Sequence, residues 1–280
     1  MPRKKDAASS KGRSGRTRRS PIRPAGTGDA RRPGKAPELP EHCGFFLDLD
    51  GTLLDIADQP RLVRIDQDLV RLLKALGRAA GGALALISGR PVAEIDRLLA
   101  GPGFCVAGQH GAERRDFSGT MHRHDVPQAV LDEARRRLGL VAAKHPALVL
   151  EDKGVNLALH FRSAPGLRAE TQDAVRGLVD ELGGQFEMQL GKMVIELRPA
   201  GKDKGAAIAE FLDEAPFRGR LPVFVGDDLT DEIGFELINR VGGHSVKVGE
   251  GESAARWRLP DSAAVRAWLG GFVARFGEGG

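Results

Sequence analysis

An apolar run that ends in two carboxylates constrains this chain more than any other stretch of its sequence. The run is GFFLDLDGTLL, from Gly44 to Leu54, and its pattern predicts a buried strand followed by Asp48 and Asp50. An ionised aspartate is seldom buried without a partner, because removing its charge from water is costly. The chain therefore needs a cationic partner at the end of this strand.

The order of the other elements predicts an α/β fold. Apolar runs such as GGALALISGR, GFCVAGQHGAE, LPVFVGDD and HSVKVG alternate with helical patterns near both ends of the chain. Strands that alternate with helices are typical of a parallel sheet covered by helices. We therefore predict a Rossmann-like core built on a parallel sheet.

The middle of the chain has a different pattern. Helical periodicity over about 127–144 and about 167–182 is followed each time by strand-like stretches with glycine at the bends. This predicts a small α+β domain inserted into the core. We assign residues 41–114 and 197–276 to the core and residues 115–196 to the inserted domain.

The first 40 residues differ from the rest in composition. They hold 12 Lys and Arg against 3 Asp and Glu and almost no large apolar side chains, so we predict a disordered basic tail. The remainder carries an acidic surplus although the whole chain is formally +4, which argues against nucleic-acid binding. No apolar run approaches the roughly 18 residues of a membrane span. Cys43 and Cys105 lack metal-ligand spacing, so we expect reduced cysteines in a cytoplasmic protein.

Polar residues follow the predicted strands where ligands bind to open parallel sheets, beyond the carboxyl ends. They are Asp48, Asp50, Ser88, Asp227, Asp228 and Asp231, with Lys202 or Lys204 at the start of a helix. Converging carboxylates repel one another unless a cation lies between them. An oxygen-only set of ligands favours Mg²⁺, which answers the need raised by the first strand.

A magnesium site at this position indicates phosphate chemistry. A serine hydroxyl near a helix start and a lysine at another helix start both suit phosphoryl oxygens. One aspartate of the Asp-x-Asp pair can attack phosphorus, and the other lies on the same side of an extended chain and can transfer a proton. The spacing thus supplies a nucleophile and an acid/base together.

This set of motifs resembles the haloacid dehalogenase (HAD) superfamily, specifically its Mg²⁺-dependent phosphatases. The resemblance lies in DLDGT from Asp48 to Thr52, in Ser88, in Lys204 before Gly205, and in GDDLTD from Gly226 to Asp231. The insertion matches the position of the superfamily's type C2 cap. More narrowly, AGQHGAERRD, NLALHFR, GKMVIELRPAGKDKG and FVGDDLTDE resemble the trehalose-6-phosphate phosphatases.

The resemblance implies a role for each matching residue. Asp48 would be the nucleophile and Asp50 the general acid/base. The phosphoryl group would be held by Thr52, Ser88 and Lys204. Mg²⁺ would be held by Asp48, the Asp50 backbone carbonyl and Asp227, with Asp228 and Asp231 in support. The sugar rings would be bound by Gly111, Glu113, Glu151, Lys153, Lys192 and Glu196.

Three other functions remain open on the sequence. The chain could be another capped sugar phosphatase, acting on sucrose 6-phosphate or a hexose phosphate. It could also be a catalytically silent phosphosugar-binding protein, or bind nucleic acid through its tail. We further expect a monomer, hinges over 111–115 and 198–201, and solvated side chains at Arg114 and Arg115.

Overall fold

The computed structural model describes residues 36–55, 65–191 and 193–277. The basic tail up to residue 35 and the predicted sugar-binding Lys192 therefore lie outside the described residues. Within those described, the chain forms one eight-stranded sheet and one four-stranded sheet.

The larger sheet is the predicted parallel core. Its strands are β1 (Cys43–Leu47), β2 (Leu84–Ile87), β3 (Cys105–Gly108), β4 (Glu113–Arg115), β5 (Met121–Arg123), β10 (Leu221–Gly226), β11 (His244–Val248) and β12 (Trp257–Leu259). Across the sheet they lie in the order β12-β11-β10-β1-β2-β3-β4-β5. Pairing is parallel from β12 to β3, whereas β4 and β5 add an antiparallel hairpin. All residues of the central strand β1 are buried, as expected where helices cover both faces of a sheet.

Five helices of the described residues pack around this sheet. They are α1 (Gln67–Ala79), α2 (Val92–Leu98), α5 (Lys204–Leu212), α6 (Glu232–Arg240) and α7 (Ser262–Phe276). Successive side chains of a strand point to opposite faces, and β1 shows this directly. The Phe45 ring lies 4.9 Å from the ring of Phe272 on α7, whereas the Phe46 ring lies 6.2 Å from the ring of Phe211 on α5. The two phenylalanines thus anchor helices on both faces.

The smaller sheet is antiparallel and lies between β5 and α5 in the chain. Its strands are β6 (Val149–Asp152), β7 (Leu157–His160), β8 (Phe186–Gly191) and β9 (Val194–Pro199), in the order β6-β7-β9-β8. Helices α3 (Gln128–Lys144) and α4 (Arg168–Glu181) pack on one face and share an apolar core with alternate strand residues such as Leu159 and Ile195. The other strand residues, Glu196 among them, point away from that core. This is the predicted inserted α+β layer.

Three details differ from the sequence analysis. Strand β5 pairs within the larger sheet, although residues from 115 onward were assigned to the inserted domain. Residues 36–40 pack on the core instead of continuing the tail, because Leu39 is buried and the Trp268 indole donates to the Pro37 carbonyl at 3.0 Å. Arg114 and Arg115, expected to be solvated, are instead buried in β4 and paired with carboxylates on α2, on α5 and just after α5. Among the described residues, no helix has the length and apolar character needed to cross a membrane.

Candidate active site

Asp48 lies at the end of the central strand, in the middle of the sheet. Its backbone N–H donates to the Val225 carbonyl at 3.0 Å, which fixes it beside the end of β10. The residue is only 4% exposed, and Lys204 Nζ lies 2.9 Å from its Oδ1. Burial raises the pKa of Asp48 well above its ordinary value, even though Lys204 opposes the shift. Lys204 is therefore one cationic partner that the opening sequence motif requires.

Asp231 orients both the lysine and the loop after β10. Its Oδ1 accepts from Lys204 Nζ at 2.6 Å, and its Oδ2 accepts from the backbone N–H groups of Asp227 and Asp228, each at 3.0 Å. Asp231 is fully buried, so these bonds are shielded from water. Burial alone would lower the pKa of Lys204, but Asp231 and Asp48 raise it, which keeps the ammonium charged.

Three carboxylates converge at this point. One oxygen each from Asp48, Asp227 and Asp231 lies within 4.8 Å of the others. Burial raises the pKa of Asp227 to about 6, and the neighbouring charges of Asp231 and Asp228 add to the shift. Such repulsion disappears when a hard divalent cation is bound, and the all-oxygen set suits one. Thr52 lies beside this group, with its Oγ1 donating to Asp227 Oδ1 at 3.4 Å.

The side chains of Asp50 and Asp228 are engaged elsewhere. Both oxygens of Asp50 accept from Arg90, at 2.6 and 2.7 Å, so the guanidinium fixes the position of this carboxylate. Asp228 instead caps the short helix that follows it by accepting from the Thr230 N–H. Ser88 lies in the same turn as Arg90, and its Oγ accepts from the Arg90 N–H at 3.1 Å. The structure thus connects the predicted acid/base to the predicted phosphate-binding turn.

A second polar cluster lies where the smaller sheet meets the core. Lys153 Nζ lies 2.6 Å from Glu196 Oε1, and His110 Nε2 lies 3.1 Å from Glu196 Oε2. Burial alone would raise the pKa of Glu196, but the His110 and Lys153 beside it hold that pKa well below its ordinary value. Glu113 is linked to the same segment, because it accepts from the side-chain amide of Gln109, the residue before His110. Gly111 follows His110 and has a φ of 101°.

Glu151 belongs to the same face of the smaller sheet as Glu196. The strand register places Glu151 opposite Ala158, and Ala158 opposite Glu196, in one row across the sheet. Glu151 also accepts from His160 Nε2 at 2.8 Å, and this bond lowers its pKa. A row of charged and small side chains on the sheet face away from α3 and α4 suits a ligand rich in hydroxyl groups.

Sequence reasoning missed several residues that the structure places at these two clusters. They are Arg90, Gln109, His110, Asn156 and Lys247, the last donating through Nζ to the Asp227 backbone carbonyl. The motifs SGR and AGQHGAE contained three of them, but their spacing gives no sign of their partners. His110 contacts the turn after Ser88 so closely that a Cβ on Gly89 would lie 2.6 Å from its Nε2. The sugar-side and phosphate-side clusters are therefore adjacent.

The chain has the fold of the HAD-like hydrolases. A haloacid dehalogenase-like hydrolase from Bacteroides thetaiotaomicron has the same fold, with a TM-score of 0.59 over 81% of this chain and 97% of that one at 17% identity. A trehalose-6-phosphate phosphatase related protein is more similar, with a TM-score of 0.70 and 27% identity over 82% of this chain and 97% of that one.

Within that class the chain belongs to the trehalose-phosphatase family. The family profile, described as trehalose-phosphatase, matches residues 46–263. The trehalose-6-phosphate phosphatase of Escherichia coli (strain K12) is 45% identical over 238 residues, which cover 84% of this chain and 88% of the relative. Phosphatases of this superfamily use a divalent metal, and the cluster of Asp48, Asp227 and Asp231 fits such an ion.

Gly51 is required for the geometry of the carboxylate cluster. It has a φ of 83°, and a Cβ there would lie 2.1 Å from Asp227 Oδ2. We expect Gly51→Ala to lower kcat/KM for phosphate release by about 100-fold, because it displaces a carboxylate of the site. The matched control is Gly219→Ala, since Gly219 has a φ of 80° and a Cβ there would meet no atom within 4 Å.

Both alanine variants are expected to lose about 1 kcal/mol of stability through their backbone conformation alone. Urea unfolding and steady-state kinetics measure the two effects separately. An equal loss of activity in both variants would contradict the steric role of Gly51.

Proposed function

We propose that the chain hydrolyses trehalose 6-phosphate to trehalose and phosphate, with Mg²⁺ as its cofactor. The observation that carries the proposal is the buried Asp48 carboxylate, which Lys204 contacts at 2.9 Å beside Asp227 and Asp231, in a member of the trehalose-phosphatase family. The relative in Escherichia coli carries the name of this activity.

Asp48 acts as the nucleophile in this proposal. One of its carboxylate oxygens bonds to phosphorus while the bond between phosphorus and the sugar oxygen breaks, which leaves an aspartyl phosphate. Asp50 protonates the departing sugar oxygen. In the second step Asp50 takes a proton from water as that water attacks phosphorus, and phosphate leaves with Asp48 restored.

The remaining residues bind and orient the phosphoryl group. Lys204 offers a fixed ammonium beside Asp48, and its two carboxylate contacts hold it there. The hydroxyls of Thr52 and Ser88 are predicted to donate to phosphoryl oxygens. Arg90 holds both oxygens of Asp50, so it orients the acid/base before substrate arrives.

The residues predicted to hold Mg²⁺ are Asp48, the Asp50 carbonyl and Asp227. Asp231 supports them by fixing the loop through two backbone N–H groups, and Asp228 supports them by capping the next helix. A bound Mg²⁺ would neutralise charge on the phosphoryl oxygens and on the carboxylates around them. Its preference for oxygen ligands fits this donor set.

The inserted layer is proposed to act as a cap that binds the two glucose rings. The sheet face away from α3 and α4 carries Glu151 and Glu196, and Glu196 contacts Lys153 at 2.6 Å and His110 of the core at 3.1 Å. Glu113 and Gly111 are proposed to complete the sugar site from the core side. The predicted hinge over 198–201 would let the layer open for product release. The predicted hinge over 111–115 is wrong, because Glu113–Arg115 form β4, which pairs with β3 and β5 inside the larger sheet. Cys43 and Cys105 are buried free thiols, which supports a reducing, cytoplasmic location. We also propose that the chain is a monomer.

Phosphate release from trehalose 6-phosphate tests the catalytic proposal. The purified chain is freed of metal with EDTA, and release is measured before and after addition of Mg²⁺, Mn²⁺ or Ca²⁺. We expect at least about a 100-fold increase with Mg²⁺, because the carboxylates and phosphate repel one another without it. Full activity in excess EDTA would contradict the metal assignment, whereas no release under any condition would favour a catalytically silent binding protein.

A further inference from the structure

Gln109 connects the core to the inserted layer through a single buried amide. It is 4% exposed and lies in a short helical turn, Gln109–Gly111, directly after β3. Its Oε1 accepts from the backbone N–H of Asn156 at 3.2 Å, and its Nε2 donates to Glu113 Oε1. Asn156 lies on the loop between β6 and β7, so one side chain contacts both bodies of the fold.

The orientation of this amide follows from the chemistry of its partners. A backbone N–H only donates, so the end of the Gln109 amide that faces Asn156 must be the oxygen. The other end is then the NH₂ group, and it faces the Glu113 carboxylate. If the inserted layer moved away, Oε1 would lose the Asn156 N–H, and the Gln109 side chain would be free to leave the rotamer that carries Nε2 to Glu113.

The contact between Asn156 and Gln109 consists of two hydrogen bonds. Asn156 is fully buried, and its Nδ2 donates to the Gln109 carbonyl at 3.2 Å, so side chain and backbone of Asn156 both bond to the same residue. Its Oδ1 is buried with no hydrogen-bond partner among the described residues.

The backbone at this point is held in a conformation that side chains rarely adopt. Gln109 has a φ of 49° and His110 a φ of 57°, and neither is glycine. Consecutive residues in the left-handed region are costly and persist when surrounding contacts fix them. Two kinds of contact hold this backbone in place. Asn156 makes two hydrogen bonds to Gln109, and His110 Nε2 lies 3.1 Å from Glu196 Oε2.

We propose that Gln109 is a positioning residue that couples the seating of the inserted layer on the core to the orientation of the Glu113 carboxylate. This inference rests on the proposed function, in which Glu113 binds the sugar. Seating of the layer fixes the Gln109 amide through Asn156, and the fixed amide holds Glu113 ready for the glucosyl hydroxyls. The Glu113 carboxylate is therefore oriented for sugar binding only when the inserted layer covers the core.

A double-mutant cycle tests the coupling. Gln109→Met, Glu113→Gln and the double variant are compared by the ratio of kcat/KM for trehalose 6-phosphate to kcat/KM for p-nitrophenyl phosphate, which lacks the sugar. The ratio also cancels any difference in folded fraction. We expect Gln109→Met to lower this ratio about tenfold, mainly through a higher KM for the sugar phosphate, because a charged hydrogen bond is lost. The double variant should fall no further than Glu113→Gln alone.

Two further variants sharpen the test. Asn156→Asp removes the Nδ2 donor to Gln109 and is expected to lower the ratio in the same direction. Gln128→Met is the matched control, because Gln128 lies on the exposed surface of α3 and bonds only to Asp132 among the described side chains. We expect it to leave the ratio as in the wild type.

The outcomes separate this inference from the proposed function. If the effects of Gln109→Met and Glu113→Gln multiply in the double variant, the two residues act independently and the coupling is wrong. If Gln109→Met lowers activity on both substrates alike, its role is structural and the inference also fails. A wild-type chain that hydrolyses p-nitrophenyl phosphate but not trehalose 6-phosphate would overturn the proposed substrate, and the inference with it.

Discussion

Replacing Asp48 with Asn is expected to abolish phosphate release while the fold is retained. The carboxylate is the proposed nucleophile, and an amide does not attack phosphorus, so kcat should fall by at least about 10³-fold. The substitution keeps the shape of the side chain and its place beside Lys204. Steady-state phosphate release with Mg²⁺ measures the effect, and a variant that retains turnover within tenfold of the wild type would refute the assigned role.

The stability of the same variant gives an independent check. Burial raises the pKa of Asp48, which means that its charge is costly in the folded state. An uncharged Asn removes that cost, so the urea midpoint is expected to stay close to the wild-type value or to rise. Asp68→Asn is the matched control, because the Asp68 side chain on α1 is 83% exposed. A large loss of stability in Asp48→Asn alone would attribute the lost activity to misfolding.

Replacing Lys204 with Met is expected to cost both activity and stability. Lys204 is buried between Asp48 and Asp231. Without its charge, neither carboxylate would have a side-chain cation of the described residues at ion-pair distance. Removing one partner of a buried ion pair costs about 3–5 kcal/mol, so the urea midpoint should fall far below the wild-type value. Phosphate release should fall as well, since the ammonium would no longer contact the phosphoryl group.

Two further measurements support the interpretation of this variant. Added Mg²⁺ is expected to restore part of the lost stability, because a cation bound to the folded carboxylates favours the folded state. Lys74→Met, on the exposed face of α1, is the matched control and should leave the midpoint within about 0.5 kcal/mol of the wild type. A Lys204→Met variant as stable as this control would contradict the electrostatic account of the site.

The sequence was sufficient to predict the parts of the site that depend on local pattern. Asp48 and Ser88 each follow an apolar run, and Lys204 begins a helix with Asp203 as its cap, so strand ends and helix starts locate them. Parallel strands bring their carboxyl ends to one edge, which is why residues far apart in the chain could be grouped. The parallel core and the inserted layer followed from the same change in periodicity.

The residues that were missed depend on partners that periodicity does not identify. Arg114 and Arg115 were expected to be solvated, but both are buried in the β4–β5 hairpin, where Arg114 pairs with Glu210 and Glu214 and Arg115 pairs with Asp96. A charged side chain is buried only when a partner reaches it, and these partners lie on α2 and at α5 or just after it. The local sequence therefore gave no reason to place a strand there.

Gln109 and Asn156 were missed for a related reason. They lie 47 residues apart and meet only because the inserted layer rests on the core, which depends on tertiary packing. The sequence pattern places Arg90 in a turn, yet its side chain holds both oxygens of Asp50. The contacts that join the sugar side of the site to the phosphate side thus become visible only in three dimensions.

The most direct test of the account is the substrate profile of the purified chain. Phosphate release is measured with Mg²⁺ on trehalose 6-phosphate, sucrose 6-phosphate and glucose 6-phosphate under identical conditions. The account predicts that kcat/KM for trehalose 6-phosphate exceeds the other two by at least about 100-fold, because buried polar groups are left unpaired when matching hydroxyls are absent. A higher kcat/KM for sucrose 6-phosphate or glucose 6-phosphate would contradict the assignment of the sugar-binding residues and of the substrate.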